Sequence, residues 1–373
     1  MKILHVINGL WPGGAQIMML RMAEVLRQRD IDIDVFSLTK ASTIEPQLKA
    51  LGIGVEICKS KPEAIRKLRR TLKTGDMDLV QCWMYTSNLA TEIARTGLWQ
   101  CKVPVFWSIH HSVPSLAHEQ RSTRFTINAL KLFKQRPNKI VYVSKISRTQ
   151  HESLGYPPGK SVHIPNGYDL TLFSKCSEGR TKFRDEIKAG DEHFVIGCLG
   201  RFHEHKDQRN FLEAAKISLQ KEPKLRFVIA GRDCTTDNET LMQWVNDLGL
   251  KDHVHVLGDR RDVPSVLNGL DLLTTSSKTE AFSIIIGEGM ATQVPCTVTD
   301  VGDSAYLVGD DALVAPPCDP AGLSDVWLNV AAQSESDRLA LGLQLRQRIE
   351  QNFSIESVVD RYLDLYRESL SVS

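Results

Sequence analysis

Short apolar segments of strand length alternate with helical segments along almost the whole chain. The predicted strands of the first half are Lys2 to Ile7, Ile33 to Leu38, Gly54 to Ile57, Asp78 to Trp83, Val103 to Ile109 and Ile140 to Ser144. Those of the second half are Phe194 to Leu199, Arg226 to Ala230, Val254 to Leu257, Leu272 to Ser276 and Val294 to Thr299. Such alternation is typical of the α/β class, in which helices cover a mainly parallel sheet. At 373 residues, two domains are expected.

The composition is that of an ordinary globular protein, with 42% hydrophobic and 24% charged residues. The longest apolar runs are far shorter than the ~20 residues that a membrane-spanning helix needs. Residues 1–8 are interpreted as a first strand, because they lack the basic segment, apolar stretch and small-residue cleavage site of a signal peptide. The eight cysteines include no Cys-x-x-Cys pair, which is typical of a reduced chain without a zinc site. We therefore expect a cytoplasmic protein.

Charge is distributed unevenly between the two halves. Residues 1–165 contain 24 Lys and Arg against 12 Asp and Glu, a net charge of +12, whereas the remainder contains 22 against 33, a net charge of −11. A basic half indicates an anionic partner. Nucleic acid is not expected, because no recognised binding motif occurs and aromatic residues do not interleave with the basic ones. An anionic membrane surface or a lipid-diphosphate acceptor fits better, so peripheral attachment to the inner face of the cytoplasmic membrane is considered.

Two basic segments of the first half have two interpretations each. The predicted helix Glu63 to Thr74 carries most of its cations on one side, which suits either a solvated face or docking to a membrane. The stretch Arg121 to Arg136 is amphipathic, and basic residues surround its apolar stripe. The stripe consists of Phe125, Ala129, Leu130 and Phe133. Core packing with a basic outer face explains this stretch, and so does an interfacial helix that faces a membrane-borne acceptor.

Two loops of the first half follow strands at the sheet edge where open α/β proteins bind ligands. Gly13 and Gly14 separate the first strand from the first helix, where the missing side chains let backbone N–H groups approach a phosphate or a sugar. A tight turn alone would also explain this pair. His110 and His111 end the strand Val103 to Ile109, and a structural role is open for both.

In the second half, Arg201 and Lys206 flank the loop after the strand Phe194 to Leu199. Fixed cations at that place would neutralise a diphosphate as it leaves a sugar. Glu280 and Glu288 are separated by seven residues, the first in a loop and the second about two turns into the following helix. Because a carboxylate is repelled by phosphate, both would face neutral hydroxyl groups, Glu288 those of a ribose. Two solvated glutamates are the alternative.

The segment TEAFSIIIGEGMATQVPCTVTDVGDSAYLVGDDALVAPPCDP, residues 279–320, resembles the Glu-x7-Glu region of the retaining nucleotide-sugar glycosyltransferases of family 4, which have the GT-B fold. Ala281 stands where that family usually has glycine. The loop at Gly13-Gly14 is similar to the family's GGA loop, and Ile164 to Asp169 is similar to its IPNG-x-D junction. The resemblance covers most of the chain and is strongest in the second half.

The resemblance implies an α/β, GT-B architecture of two facing Rossmann-like domains with an interdomain cleft. Residues 1–168 would bind the acceptor, and residues 169–352 would bind the nucleotide-sugar. A terminal helix of about residues 353–373 would pack back on the first domain. The polar stretch Leu170 to Gly190 is interpreted as the hinge.

The resemblance also implies roles for individual residues in the transfer of a sugar, with retention, to a hydroxyl group. The residues implied as catalytic are His110, which is preferred over His111, with Arg201, Lys206 and Glu280. Those implied as donor-binding are Gly13, Gly14, Arg201, Lys206, Arg260, Arg261, Glu280, Phe282, Ser283, Ile284 and Glu288. Arg260 and Arg261 would border the nucleobase, and the backbone of residues 282–284 would orient the sugar. A uridine donor and a glycan or polyprenyl-diphosphate-linked acceptor in cell-surface polysaccharide biosynthesis are expected.

Other motifs of known chemistry are missing or weak. No cofactor or metal is expected: the His203-x-His205 pair has no third ligand nearby in sequence, and two Asp-x-Asp pairs only flank strands. There is no phosphate-binding Walker loop and no Gly-x-Ser-x-Gly elbow, which argues against an NTPase and a hydrolase. Two rival functions remain, a nucleotide-sugar epimerase on the same scaffold and a non-catalytic partner subunit that keeps the nucleotide site.

Overall fold

A computed structural model describes residues 1–11, 13–40 and 43–371 of the chain. The chain divides into two compact units, of which the first comprises Met1–Gly167 and Ile355–Ser373 and the second Tyr168–Ser354. Each unit contains one parallel sheet, and in the first unit a hydrophobic core lies on each face of that sheet.

The first unit is built on a seven-stranded parallel sheet with the strand order β3-β2-β1-β4-β5-β6-β7. Its strands are β1 (Lys2–Ile7), β2 (Asp32–Ser37), β3 (Gly54–Ile57), β4 (Leu79–Trp83), β5 (Val105–Ile109), β6 (Lys139–Tyr142) and β7 (Ser161–His163). The helices that alternate with them are α1 (Gly14–Gln28), α2 (Glu45–Ala50), α3 (Lys61–Thr74), α4 (Met84–Arg95), α5 (Arg121–Leu130) and α6 (Lys145–Ser153). The central strands β4 and β5 are fully buried because helices cover both faces of the sheet.

The second unit repeats this plan with a six-stranded parallel sheet of order β10-β9-β8-β11-β12-β13. Its strands are β8 (Phe194–Leu199), β9 (Leu225–Ala230), β10 (Val254–Val256), β11 (Leu272–Thr274), β12 (Cys296–Thr299) and β13 (Val314–Ala315). Its helices are α7 (Ser177–Glu186), α8 (Gln208–Lys221), α9 (Glu239–Asp247), α10 (Val263–Gly269), α11 (Ile284–Ala291), α12 (Ser304–Val308), α13 (Pro320–Ala331) and α14 (Glu335–Phe353). Phe211, Phe227 and Trp327 form an aromatic group in its core.

The last helix, α15 (Ile355–Ser371), belongs to the first unit. It packs on α1 in the core that covers one face of the seven-stranded sheet. At the rim of this contact Arg29 forms an ion pair with Asp360, and inside it the Tyr366 hydroxyl donates to Gln81 Oε1 over 2.7 Å. Apolar residues at helical spacing therefore turn one face of α15 toward the sheet.

Two expectations about local structure are wrong. Residues 170–190 are not an irregular hinge throughout, because residues 177–186 form α7, which buries Phe183 and Arg184. The apolar stripe of the stretch after Arg121 is also different from the predicted one. Phe125 is 71% exposed, and Ile127 and Leu130 are the residues of α5 that enter the core. The helix ends at Leu130, and turns follow it. Core packing is therefore right for Leu130 and wrong for Phe125, whereas an exposed Phe125 agrees with the interfacial interpretation.

Candidate active site

Both sheets share a strand order that changes direction once, between β1 and β4 in the first unit and between β8 and β11 in the second. In open α/β sheets, ligands bind outside the carboxyl ends of the strands at such a switch point. The loops that leave this edge in the second unit are residues 200–207 and 275–283. They contain Arg201, Lys206 and Glu280, so the chain order of the strands brings these three predicted residues to one end of the sheet.

Lys206 and Glu280 form a direct ion pair between these two loops. The Lys206 side chain is 25% exposed and that of Glu280 is 14% exposed, so the pair is partly shielded from water. The Ser277 hydroxyl also donates to Glu280 Oε1 over 3.1 Å. Ser277 was not predicted, and its position three residues before the glutamate gives no periodic signal that would have indicated it.

Hydrogen bonds to main-chain carbonyls connect the two loops. The N–H of Lys278 donates to the carbonyl of His205 over 2.8 Å. The hydroxyl of Ser276 donates to the carbonyl of Lys206 over 2.9 Å. The charged pair therefore rests on hydrogen bonds to main-chain carbonyls, in which the charged groups of Lys206 and Glu280 take no part.

Arg201 follows directly after Gly200, and its side chain is exposed to solvent. The carbonyl of Arg201 accepts a hydrogen bond from Gln208 Nε2 over 2.8 Å, which anchors its backbone to the start of α8. Because its side chain is exposed, the Arg201 guanidinium group can contact a ligand at the same loop that carries Lys206.

His203 and His205 lie between these two cations, with their rings edge to face at 4.5 Å. The backbone N–H of His205 donates to His203 Nδ1 over 3.2 Å. Burial, together with the charge of Arg201, lowers the pKa of His203 below its usual value of 6.5, so this ring is neutral at pH 7. Across residues 1–11, 13–40 and 43–371, no group of three or more His, Cys, Asp or Glu side chains is arranged to hold a metal ion.

The predicted sugar-contact segment, residues 282–284, leads into α11. Phe282 and Ser283 are 5% and 2% exposed, and Ser283 is the N-cap residue of the helix. The loop lies against Gly302, because a Cβ atom there would stand 2.2 Å from the carbonyl oxygen of Glu280. Gly302 also has a φ of +57°, so both this backbone conformation and the nearby carbonyl of Glu280 require glycine at this position. Glu288 lies on the second turn of α11 and is 7% exposed.

The two arginines expected beside a nucleobase differ from each other. Arg260 makes ion pairs with Glu186 and Asp262, and its Nε donates to Asp262 Oδ1 over 2.8 Å. The hydrogen bond to Glu186, which has the larger effect, and that to Asp262 raise the pKa of Arg260 above its ordinary value. Its guanidinium is therefore already engaged by two carboxylates, whereas Arg261 is exposed.

In the first unit, Gly13 is the N-cap residue of α1 and Gly14 is its first residue. A Cβ atom on Gly13 would lie 2.7 Å from Gln16 Oε1, so the loop passes close to that side chain. Gln16 Nε2 in turn donates to the carbonyl of Gly9 over 3.1 Å. The loop after β1 thus leaves the sheet at its switch point, as the loop with Arg201 does in the second unit.

His110 directly follows β5, and its ring is tilted against that of Trp83, with 5.3 Å between the ring centroids. Its backbone N–H donates to Met84 Sδ over 3.2 Å. Burial lowers the pKa of His110 to about 3, and an interaction with the side chain of Asn166 opposes this shift. Within the described part of the chain, neither ring nitrogen has a hydrogen-bond partner that meets normal geometry. His111 differs, because its Nε2 lies 2.9 Å from Glu119 Oε1.

Comparisons with known proteins agree with this description. Residues 193–333 match the sequence model of "Glycosyl transferases group 1", and residues 12–172 match that of "Glycosyltransferase Family 4". The chain is 25% identical, over 98% of its length and 96% of the relative's, to the UDP-Gal:alpha-D-GlcNAc-diphosphoundecaprenol alpha-1,3-galactosyltransferase of Escherichia coli. It is 24% identical, over 96% of its length and 98% of the relative's, to the N,N'-diacetylbacillosaminyl-diphospho-undecaprenol alpha-1,3-N-acetylgalactosaminyltransferase of Campylobacter jejuni.

Among solved structures, HepE of Anabaena in complex with UDP and glucose superimposes with a TM-score of 0.85 at 21% identity, covering 99% of this chain and all of the other. Sucrose-phosphate synthase of Thermosynechococcus elongatus gives a TM-score of 0.78 at 16% identity, with both chains covered completely. Two Rossmann-like parallel sheets of this kind, together with the similarity to these structures, define the GT-B fold class.

The chain belongs to glycosyltransferase family 4, whose two sequence models together match most of its length. It is accordingly an enzyme of glycosyl transfer. Among the described residues there is no helix with the length and apolar character needed to cross a membrane.

Proposed function

We propose that this enzyme transfers a sugar from a UDP-sugar to a hydroxyl group of a lipid-linked glycan during the biosynthesis of a cell-surface polysaccharide, with retention of the anomeric configuration. The observation that carries the proposal is the Lys206–Glu280 pair at the switch point of the second sheet, with Arg201 on the same loop. The names of the Escherichia coli and Campylobacter jejuni relatives, both of which act on undecaprenol-linked sugars, support the acceptor class. The UDP in the HepE structure supports the nucleotide.

The second unit binds the donor in this proposal. Arg201 and Lys206 hold the two phosphates and stabilise the negative charge that develops as the diphosphate leaves, an effect that is usually the largest single contribution to such a step. Glu288 accepts hydrogen bonds from the ribose hydroxyls. Glu280 and the backbone of residues 282–284 orient the sugar, and Arg261 borders the base, since Arg260 is held by its two carboxylates.

In this proposal the first unit binds the acceptor, His110 supports the reacting face of the sugar, and Gly13 and Gly14 contribute to donor binding. The bond from the anomeric carbon to the phosphate oxygen breaks, and a bond from that carbon to the acceptor oxygen forms on the same face. The acceptor proton passes to the leaving phosphate oxygen, so the products are the glycosylated acceptor and UDP. A neutral His110 suits this scheme, because its ring can donate or accept a hydrogen bond without adding charge.

The lysine and the glutamate exchange partners when the donor binds. Without a donor, Glu280 neutralises Lys206. A bound diphosphate offers Lys206 two anionic oxygens, and a sugar hydroxyl can then donate to Glu280 in place of the ammonium group. Donor binding therefore replaces the ion pair with Glu280 by ion pairs with the diphosphate, whose two negative charges are balanced by Arg201 and Lys206 together.

The nucleotide and the reaction are tested separately. A thermal-shift series with UDP, GDP and ADP should raise the Tm most for UDP, because a ligand that binds only the folded state stabilises it. Incubation with a UDP-sugar and an undecaprenyl-diphosphate-linked acceptor should release UDP and give a product with the donor's anomeric configuration. A larger rise in Tm with GDP or ADP than with UDP would exclude the uridine donor. If the enzyme formed an epimer of the sugar from the donor alone, its reaction would be epimerisation and not transfer.

We also propose that the first unit attaches peripherally to an anionic membrane on the cytoplasmic side, through the surface formed by residues 121–132. Phe125 and Leu132 on this surface are 71% and 83% exposed, and Arg121 is exposed as well. Apolar side chains flanked by cations are typical of interfacial segments. The alternative basic segment, α3, is less suitable, because Lys67 pairs with Glu56 and Glu63.

Vesicle binding tests this attachment. Co-sedimentation with anionic liposomes at low salt should fall in the double variant Phe125→Ser/Leu132→Ser. Leu172→Ser is the matched control, since Leu172 is 55% exposed but lies in the second unit. Equal sedimentation of the double variant and the parent would exclude this surface.

A further inference from the structure

Tyr168 is the first residue of the second unit, and its side chain is completely buried. Its hydroxyl donates a hydrogen bond of 2.8 Å to the carbonyl oxygen of Ser283. Ser283 is the N-cap residue of α11, so this bond fixes the peptide unit that joins the predicted sugar-contact segment to the helix. The tyrosine is 115 residues away from that segment in the sequence.

The ring of Tyr168 lies directly on the backbone of α11. A Cβ atom on Gly287 would stand 2.0 Å from the Cζ atom of Tyr168, a distance that real atoms do not adopt. Any side chain at position 287 would therefore displace either the ring or the helix. Gly287 immediately precedes Glu288, the residue proposed to hold the ribose, so the ring defines the position of the helical turn that carries it.

The backbone of Tyr168 is fixed as well. Its N–H donates to the carbonyl of Phe353 over 2.9 Å, and residues 168 and 354 form a parallel bridge. The chain thus enters and leaves the second unit through two adjacent extended segments. Phe282 completes the support, with its ring 6.5 Å from that of Tyr168 and 5.7 Å from that of Phe353.

We propose that Tyr168 is a positioning residue for the donor site, holding the Ser283 carbonyl and the first turns of α11 in the orientation that the sugar and the ribose of the donor require. This inference rests on the proposed function of the same site. Tyr168 does not touch the reacting atoms in this scheme; it acts through the backbone of residues 283–287. Its loss should accordingly weaken donor binding more than it slows the chemical step.

The variant Tyr168→Phe keeps the ring and removes only the hydroxyl. We expect the Kd for UDP and the KM for the donor to rise about five- to tenfold, the effect of one buried hydrogen bond, while kcat at saturating donor changes less than twofold. Tyr156→Phe is the matched control, because the Tyr156 hydroxyl also donates to a backbone carbonyl, that of Ile127 over 3.1 Å, and its side chain is 1% exposed. This control should keep the parental Kd and KM.

A second pair of variants tests the packing of the ring on the helix. Gly287→Ala should weaken UDP binding in the parent, because the ring of Tyr168 occupies the space of the new methyl group. In a Tyr168→Val background the same substitution should no longer weaken UDP binding, so the two effects are not additive. If Gly287→Ala weakened UDP binding equally in both backgrounds, the contact between the Tyr168 ring and the backbone at Gly287 would be refuted.

The outcomes separate this inference from the function on which it rests. If the parental protein does not bind UDP in the thermal-shift series, the proposed donor is wrong. If the parent binds UDP and Tyr168→Phe binds it equally well, the donor stands and the positioning role of Tyr168 is wrong. A fall in Tm without any change in Kd or KM would make Tyr168 a purely structural residue.

Discussion

Lys206 and Glu280 form an ion pair across the two loops that leave β8 and β11, although 74 residues separate them in the sequence. In isolation, partly exposed pairs of this kind contribute little to stability. Main-chain hydrogen bonds between the same loops, such as that from Lys278 to His205, keep the two side chains together. The two side chains are therefore held together by the fold of the loops, and under the proposed function they are in place before the donor binds.

The roles of Lys206 and Glu288 differ, and so should the effects of removing them. Lys206→Ala should lower kcat by about 10²- to 10³-fold, because the leaving diphosphate loses a fixed positive charge. Glu288→Ala should mainly raise the Kd for UDP. Steady-state kinetics and calorimetry distinguish the two.

Lys221→Ala provides the control for this pair of variants, since Lys221 is exposed and pairs only with Asp325 among the described residues. It should transfer sugar at the parental rate. A parental kcat in Lys206→Ala together with a parental Kd for UDP in Glu288→Ala would show that the site lies elsewhere.

A substitution at Gly302 tests whether the position of the loop that carries Glu280 matters for donor binding. Gly302→Ala introduces a Cβ atom 2.2 Å from the carbonyl oxygen of Glu280, so the loop must move and donor affinity should fall at least about tenfold. Gly249→Ala is the control, because Gly249 has a similar positive φ of +72° but no neighbouring atom within 4 Å of the new Cβ. Both variants bear the backbone strain of about 1 kcal/mol, and only the first should weaken UDP binding. Equal UDP affinities in the two would contradict this arrangement of the loop.

Buried histidines should make the first unit unstable in mild acid. Burial lowers the pKa of His5 to about 3 and that of His151 to about 4, whereas the unfolded chain titrates near 6.5. The unfolded state therefore binds more protons below pH 6.5, and the free energy of unfolding falls as the pH decreases from about 6.5 toward 4. At pH 5 each of these histidines should cost about 2 kcal/mol relative to pH 7.5.

Urea denaturation of the first unit between pH 7.5 and 5 measures this loss. His5→Asn should weaken the dependence of the unfolding free energy on pH, because asparagine does not titrate. The variant should still fold, since the amide oxygen can accept the hydrogen bond that Trp83 Nε1 donates to His5 Nδ1 over 2.9 Å. His118→Asn, which changes an exposed histidine, should leave the slope as it is. The buried carboxyl of Glu92, whose pKa burial raises, acts in the opposite direction, so the series stops at pH 5. A stability that does not change over this range would contradict the prediction.

Asp271 stabilises the second unit at the opposite end of its sheet. Its carboxylate pairs with Arg184, which is 5% exposed, and accepts the N–H of Val195 over 2.8 Å. Asp271→Asn would leave the buried guanidinium without its counter-charge, so the free energy of unfolding should fall by about 3–5 kcal/mol. Asp325→Asn, on an exposed ion pair, should change it by less than about 1 kcal/mol. Comparable losses in the two variants, measured by urea denaturation, would be inconsistent with this difference in burial.

Local sequence patterns predicted the inner strands of both sheets, because a parallel strand buried on both faces appears as a short continuous apolar run. The short edge strands β7 and β13 were not predicted. The strand Phe194–Leu199 has the bounds that its run of apolar residues indicates. The sequence patterns failed where the packing of a neighbouring element decides which face of a helix is buried. Core packing of the apolar stripe after Arg121 would bury Phe125 together with Leu130, but Phe125 is exposed and Ile127 is buried beside Leu130. Similarly, α7 lies in a polar stretch, and it is stabilised by packing on α10 and by Arg184.

The sequence alone determined the fold class, the family and the identity of the charged residues in the loops, because these depend on apolar periodicity and on motifs that are contiguous in the chain. The tertiary structure decided which side chains meet: Lys206 with Glu280, Arg260 with Glu186, and Tyr168 with Gly287. Such contacts join residues that are 74 to 119 positions apart. They depend on the order of strands in the sheet and on the exact course of the loops, and no local pattern in the sequence encodes either one.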